Sequence, residues 1–261
     1  MIGIFDSGIG GLTVVRAFIE QMSGYDIIYF GDTARTPYGN KSPETVVKYA
    51  LENTEFLLGK GAKIIIMACN TASSVATEKM TERFDVPIFE VITPAVKLAI
   101  KTSGKSGIGV IGTMATINSG IYEKKIKQAN PYAKVYSFPC PLLVPLVEEG
   151  WLKKPETRMI VKKYLHPLKV RQIGTLILGC THYPILKKII QEKIGKRVKI
   201  IDSSIAVVDE VKAFLENHVE FDSMLDKKGV CRFFVSDVTE QFKKTAKEML
   251  KRTVILEHVR I

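Results

Sequence analysis

Two cysteines, Cys69 and Cys180, each follow a short apolar run and precede a segment with the pattern of a helix start. The first N–H groups of a helix and its dipole stabilise negative charge, so a thiolate is favoured at such a position. His182 is close enough in sequence to Cys180 to exchange a proton with it. A base on one face of a carbon and its conjugate acid on the other invert a stereocentre. The pair therefore indicates proton-transfer chemistry.

The ordinary role of a free cysteine is that of a small buried hydrophobic residue, and this alternative applies to all four. Cys69, Cys140, Cys180 and Cys231 are far apart, with no Cys-x-x-Cys pair and no metal-type spacing to histidine. The pattern predicts neither a disulfide framework nor a metal site, and we expect Cys140 and Cys231 to be structural.

A glycine-rich segment at positions 6–13 (DSGIGGLT) follows the first apolar run. Its backbone could form an anion-binding nest, although a tight structural turn explains the glycines equally well. It is not a dinucleotide fingerprint, because Thr13 occupies the third glycine position, and no Gly-Lys-Ser/Thr follows as in a phosphate-binding loop. Asp6 is either a helix N-cap or a functional carboxylate at a strand end. A carboxylate beside Cys69 would raise the pKa of that thiol, so Asp6 would act as proton acceptor or orienter.

The elements that position these residues are short apolar runs alternating with helical patterns, which predicts an α/β fold with mostly parallel sheets. Ser42 is a predicted N-cap, Pro184 a predicted helix start, and Asp237-x-x-Glu240 a predicted capping box. The predicted strands lie at 2–5, 27–30, 64–68, 88–92, 108–111, 135–138, 176–178 and 198–201.

The sequence is also weakly duplicated. The offset from Gly3 to Gly109 is 106 residues and that from Cys69 to Cys180 is 111, although chance similarity between buried strands remains the alternative. We expect one domain over 1–94 plus 208–261, completed by a strand near 230–235, and a second domain over 95–207. The two cysteines would then face each other across an interdomain site.

Composition narrows the class of protein. The 261 residues are 46% hydrophobic and 25% charged, which argues against disorder, and no apolar run approaches the length of a membrane span. A strand-like run directly after Met1 leaves no signal peptide, so we expect a cytoplasmic location and no membrane partner. The net charge of +11 is spread along helical patterns without aromatic clusters, which favours a solvated basic surface over a nucleic-acid partner.

Five motifs of this sequence resemble those of the glutamate racemases, within the aspartate/glutamate racemase family, in order and in spacing. The match extends over nearly the whole chain. The motifs are 5–11 (FDSGIGG), 31–39 (GDTARTPYG), 68–73 (ACNTAS), 140–148 (CPLLVPLVE) and 179–184 (GCTHYP). The resemblance implies two pseudo-symmetric flavodoxin-like domains, an interdomain active site, no cofactor, and a homodimer that supplies D-glutamate for peptidoglycan.

The resemblance also implies a role for each matching residue. Cys69 would act on the D-enantiomer with help from Asp6, and Cys180 on the L-enantiomer with help from His182 and Glu148. The substrate's amino and carboxylate groups would be held, partly through backbone N–H groups, by Asp6, Ser7, Tyr38, Gly39, Asn70, Thr71, Thr181 and His182. From the residues alone, Tyr38-Gly39 could be only a turn, Glu148 only a solvated helix end, and Asp32 and Arg35 loop scaffolding.

Three other functions compete with this interpretation. A racemase for another small acidic amino acid, particularly aspartate, would need only a different pocket size, which the residues do not give. A phosphate- or nucleotide-binding module would use the glycine-rich segment but leaves the paired cysteines unexplained. A thiol oxidoreductase is disfavoured because neither cysteine has a resolving partner nearby in sequence.

Overall fold

The computed structural model describes residues 1–104 and 106–261, which form an α/β structure of short strands and surrounding helices. The strands are β1 (Ile2–Asp6), β2 (Ile27–Gly31), β3 (Ile64–Met67), β4 (Ile88–Glu90), β5 (Ile108–Gly112), β6 (Val135–Pro139), β7 (Thr175–Gly179), β8 (Lys199–Asp202), β9 (Cys231–Val235) and β10 (Leu256–His258). The α-helices are α1 (Leu12–Gln21), α2 (Pro43–Gly59), α3 (Asn70–Arg83), α4 (Ile92–Ser103), α5 (Met114–Asn118), α6 (Ile121–Ala129), α7 (Leu143–Glu148), α8 (Pro155–Val170), α9 (Lys187–Ile194), α10 (Ser203–Asn217), α11 (Val219–Ser223) and α12 (Glu240–Leu250). Single 3₁₀ turns lie at Ile9–Gly11, Thr33–Arg35, Tyr38–Asn40 and Tyr183–Leu186.

The strands form two sheets in which every paired neighbour is parallel. The first has the order β10-β9-β2-β1-β3-β4 and the second the order β6-β5-β7-β8. The run β2-β1-β3-β4 therefore has the same order as β6-β5-β7-β8, an arrangement also found in flavodoxin-like folds. Gly3 and Gly109 are each the second residue of their strand, so the repeated motifs occupy equivalent positions. The prediction of two related α/β halves is confirmed.

A continuous apolar core joins the two halves. One buried cluster contains Ile4 from the first sheet and Leu178 from the second. The first sheet takes its strands from 1–94 and 208–261 and the second from 95–207, and both predicted cut positions fall inside helices, α4 and α10, which pack on each other. The two halves are thus linked by helices rather than loops, and the boundaries themselves stay a prediction. Among the described residues no helix has the length and apolarity needed to cross a bilayer.

Every predicted apolar run contains a strand, and so does the 230–235 segment, whose strand β9 pairs with β2. The run at 88–92 is shorter as a strand than predicted, because Ile92 already begins α4. Pro184 begins no α-helix, since it lies in a 3₁₀ turn and α9 begins at Lys187. Strand β10 was not predicted, because two of its three residues are exposed and polar.

Helix starts follow local hydrogen bonding. Ser42 caps α2 as predicted, its hydroxyl accepting from the Thr45 amide at 3.3 Å, with Pro43 as the first helical residue. The predicted capping box at Asp237 is wrong: α12 begins at Glu240, and Thr239 is its N-cap, accepting from the Phe242 amide at 3.1 Å. Thr239 has the extended backbone that a cap requires, so the start is displaced by two residues.

The position of this cap can be tested by substitution. Thr239→Ala removes the side-chain acceptor and should lower the free energy of unfolding by about 1 kcal/mol, measured by urea denaturation. Asp237→Ala is the matched control and should change it by less than about 0.5 kcal/mol, because it removes an exposed side chain only. The reverse order of the two effects would restore Asp237 as the cap.

Candidate active site

The candidate catalytic residues lie at the carboxyl ends of equivalent strands. Asp6 ends β1, and Cys69 follows the adjacent strand β3 and occupies the N-cap position of α3. Cys180 follows β7, the equivalent of β3 in the second sheet. Parallel sheets place ligands at this edge of their strands. The two edges approach each other closely: a Cβ at Gly10 would lie 2.3 Å from Thr181 Oγ1 and 2.6 Å from His182 Nδ1, so only glycine fits there.

Asp6 is fully buried and links the two halves. Its Oδ2 accepts from the amides of Gly8 (3.1 Å) and Gly11 (2.8 Å), and its Oδ1 accepts from the Thr181 hydroxyl at 3.2 Å. Asp6 thus holds the glycine-rich turn and contacts the other half, but it is not a helix N-cap, because the N-cap residues of the 3₁₀ turn and of α1 are Gly8 and Gly11. Burial raises the pKa of Asp6, while the charge of His182 and these hydrogen bonds oppose the shift.

Cys69 is held as a neutral thiol. Burial and then the charge of Asp6 raise the pKa of Cys69 to about 12, although the Ala72 amide and the Ser7 hydroxyl act in the opposite direction. The Sγ atom lies 3.7 Å from Ser7 Oγ. The expected stabilisation of a thiolate by the start of α3 is therefore present but outweighed. The charge of Cys180 also acts to raise this pKa.

Cys180 has a different set of neighbours. Its Sγ lies 3.7 Å from His182 Nδ1, and His182 Nε2 lies 2.6 Å from Glu148 Oε1. Burial alone would lower the pKa of His182, but its contacts with Cys180 and Glu148 raise that pKa well above its ordinary value. Burial would raise the pKa of Glu148, yet His182 and the Ile9 amide hold it below its ordinary value. The result is a chain from Cys180 through an imidazolium to a carboxylate.

Tyr38 and Gly39 lie beside the site as a 3₁₀ turn packed against the second half. The Tyr38 hydroxyl is directed away into a buried network, where it donates to Asp32 and accepts from Asn53 Nδ2 at 3.0 Å. A Cβ at Gly39 would lie 2.6 Å from Thr113 Cβ. The Tyr38 hydroxyl is therefore already engaged, and Gly39 can contact a ligand only through its backbone. Asp32 also accepts from Arg35, as expected of loop scaffolding.

The remaining predicted residues lie around the same centre. Ser7, Asn70, Thr71 and Thr181 are all at most 5% exposed. The Thr71 hydroxyl shares hydrogen bonds with Thr113 Oγ1 (2.9 Å) and Thr116 Oγ1 (3.2 Å) of the other half. All predicted site residues are thus brought together, while Cys231 lies outside this group in β9.

Sequence reasoning missed several residues that hold the site. Thr113 and Thr116 contact Thr71, Tyr29 donates its hydroxyl to the Gly8 carbonyl at 2.5 Å, and Tyr122 donates to Asn70. The duplication offered a signal for Thr113, because it occupies in the second half the place of Ser7 in the first. The tyrosines carried no such signal, since their partners are distant in sequence.

The hydrogen bonds within the glycine-rich segment argue against its use as a phosphate-binding loop. The amides of Gly8 and Gly11, which an anion would need, already donate to Asp6. A second anion beside that buried carboxylate would be repelled.

Comparison with known proteins identifies relatives over the full chain. The family model described as Asp/Glu/Hydantoin racemase matches residues 2–211. The glutamate racemase of Syntrophus aciditrophicus is 43% identical over 254 residues, covering 97% of this chain and 93% of the relative.

Solved structures agree with the sequence relatives. Glutamate racemase isoform RacE1 from Bacillus anthracis superposes with a TM-score of 0.93 at 36% identity, covering 100% of this chain and 97% of that one. Glutamate racemase from Francisella tularensis, solved with D-glutamate, superposes with a TM-score of 0.90 at 39% identity, covering 99% and 97%.

The Glu148–His182 contact can be tested by titration. Glu148→Gln should lower the pKa of His182, measured by NMR of its ring protons, because burial is then less opposed. The folded state favours the charged form of His182. The contribution of His182 to the free energy of unfolding is therefore complete below about pH 6.5 and is lost as the pH rises through the raised pKa of this residue. Charged Glu148 contributes above about pH 4.5, and this contribution is lost as the pH falls through its lowered pKa. The stability difference between wild type and variant should therefore be largest between these values.

The control for this titration is Glu149→Gln, which removes the neighbouring exposed carboxylate. It should leave the pKa of His182 unchanged. Equal shifts in both variants would mean that general surface charge, rather than the buried contact, sets the ionisation of His182.

Proposed function

Because this chain belongs to the Asp/Glu/hydantoin racemase family, and its full-length relatives are glutamate racemases, we propose that it interconverts L- and D-glutamate by proton transfer through Cys69 and Cys180 without a cofactor. The observation that carries the mechanism is the placement of two buried thiols at equivalent strand ends of two facing halves. One thiolate removes the α-proton from one face of the substrate, and the other thiol delivers a proton to the opposite face.

Each cysteine acts with its own neighbours. Cys180 removes the proton of L-glutamate, with the imidazolium of His182, oriented by Glu148, lying 3.7 Å from its Sγ. Cys69, whose raised pKa keeps it protonated, delivers the proton that forms D-glutamate. In the reverse direction Cys69 must lose its proton first, and the buried carboxylate of Asp6 is the acceptor nearby. Conversion of L- to D-glutamate can thus begin directly, because Cys69 already carries the proton that it delivers.

The substrate lies between the two thiols, with its amino and carboxylate groups on polar atoms of both halves. Asn70 and Thr71 at the start of α3 offer amide donors to a carboxylate, in the region where the helix dipole favours negative charge. Thr181 and Ser7 supply hydroxyls, and Tyr38-Gly39 supply backbone groups. Donors fixed in this way also stabilise the carbanion that forms when the α-proton leaves.

The proposal includes the setting of the reaction. The D-glutamate formed supplies peptidoglycan synthesis, the enzyme acts in the cytoplasm as a homodimer, and nucleic acid is no partner. These parts rest on the family resemblance and on composition rather than on the contacts described above.

Substrate choice is tested first. Purified protein should racemise L-glutamate without added pyridoxal phosphate or metal, followed by polarimetry, and L-aspartate should be at least tenfold slower, since one methylene alters kcat/KM by about 10–200-fold. Faster turnover of aspartate would overturn the glutamate assignment and leave the two-thiol mechanism standing.

The two-thiol mechanism is tested in deuterated water. D-glutamate formed in the earliest turnovers should carry deuterium, while unreacted L-glutamate stays largely protiated, because the delivering thiol exchanges its hydrogen with solvent before the substrate binds. Replacing Cys69 or Cys180 by alanine should lower the racemisation rate at least about 10²-fold, the usual share of acid–base catalysis. Serine should be nearly as damaging, because a hydroxyl is a far weaker acid than a thiol.

Cys231→Ala is the control, since this cysteine lies in β9 outside the site, and it should keep the wild-type rate. Early D-glutamate that retains the substrate's own α-hydrogen would indicate a single base. Alanine variants of Cys69 or Cys180 that lose stability but keep their rate per folded molecule would reduce both cysteines to structural residues.

A further inference from the structure

Asn70 presents an unusual side chain at the site. Its Oδ1 accepts from the Tyr122 hydroxyl at 2.6 Å, whereas its Nδ2 is buried without a hydrogen-bond partner within residues 1–104 and 106–261. A buried N–H group without an acceptor costs free energy, so such groups are rare unless a ligand completes them. Asn70 follows Cys69 directly, which places this amide next to the reacting centre.

Tyr122 reaches Asn70 from the opposite half of the molecule. It lies in the first turn of α6, is 2% exposed, and packs in the core of the second sheet. Its ring lies against the residue before Cys180: a Cβ at Gly179 would be 3.1 Å from Tyr122 Cε2. One side chain thus contacts the turn that carries Cys180 with its ring and the turn that carries Cys69 with its hydroxyl.

The hydrogen bond determines which end of the Asn70 amide faces the site. Burial, with the charges of Glu90 and Cys180, raises the pKa of Tyr122 well above its ordinary value, so the phenol stays protonated. A buried O–H needs an acceptor, and Oδ1 of Asn70 is the one it contacts. The NH₂ group is therefore the end left for a ligand. If the amide were reversed, a carbonyl oxygen would face the ligand and repel a carboxylate.

We propose that Tyr122 is a positioning residue for the racemase reaction: by donating to Asn70 Oδ1 across the two halves, it presents the Asn70 NH₂ group to a carboxylate of the substrate. This inference rests on the proposed function and adds a residue outside the motifs from which the site was predicted. Tyr122 acts on the substrate only indirectly, by orienting Asn70. Loss of the Tyr122 hydroxyl should therefore weaken substrate binding more than it slows the proton transfer.

The test is Tyr122→Phe, which keeps the ring against Gly179 and removes only the donor. We expect KM for L-glutamate to rise about tenfold, the effect of one lost hydrogen bond that leaves a buried group unpaired, while kcat falls less than threefold. In an Asn70→Ala background the same change should leave KM unaffected, because the amide it orients is gone. Tyr25→Phe is the matched control: it removes a 2.6 Å hydrogen bond to Asp222, a residue outside the candidate site, and should keep the wild-type KM.

The outcomes separate this inference from the function. A wild-type protein inactive on glutamate contradicts the function. An active wild type with unchanged KM in Tyr122→Phe, or with a loss confined to kcat or to melting temperature, overturns the role of Tyr122. If Tyr122→Phe does not fold, Asn70→Asp decides, because it keeps an acceptor for Tyr122 and replaces the buried NH₂, unpaired within the described residues, with oxygen. A KM at least tenfold higher supports the inference, and an unchanged KM overturns it.

Discussion

The buried carboxylate of Asp6 is the group on which the arrangement of the site depends. A charge in the interior is tolerated only when it is fully hydrogen-bonded, and Asp6 obtains its donors from the turn after β1 and from Thr181 of the other half. The same contacts shape the glycine-rich turn and draw the edges of the two sheets together. Burial is the main reason that the pKa of Cys69 is raised, and the charge of Asp6 adds to it, so one residue connects folding, domain contact and acid–base state.

The two halves share a topology but differ in their electrostatics. Equivalent strands β3 and β7 are followed by the two cysteines, and this equivalence is the basis for the proposal that the two thiols act on opposite faces of one substrate. Their neighbours are opposite in sign: a carboxylate lies near Cys69, and a histidine paired with Glu148 lies near Cys180. Similar backbones with dissimilar partners suit a reaction that runs in both directions through one acid and one base.

The sequence predicted the strands and helices, and the grouping of the candidate site residues, better than it predicted the contacts that these residues make. Buried parallel strands are continuous apolar runs, so β1 to β9 could be predicted from the sequence. Strand β10 could not, because Leu256 is its single apolar residue. Capping depends on backbone conformation, which is why Thr239 rather than Asp237 begins α12. The direction of the Tyr38 hydroxyl and the hydrogen-bond partners of Thr71 and Asn70 depend on tertiary packing, so no local sequence pattern predicts them.

The burial of both thiols has a kinetic consequence. Cys69 is 4% exposed and Cys180 is 5% exposed, so a molecule the size of an amino acid reaches neither unless the halves first separate. Separation breaks cross-half bonds such as those of Thr71 with Thr113 and of Asp6 with Thr181, which re-form on closing. Under the proposed mechanism, each turnover would therefore include a gating motion that competes with chemistry for control of the rate. With the halves closed, the proposed carbanion would be shielded from bulk water, and the stereochemical outcome would then depend on the two thiols alone.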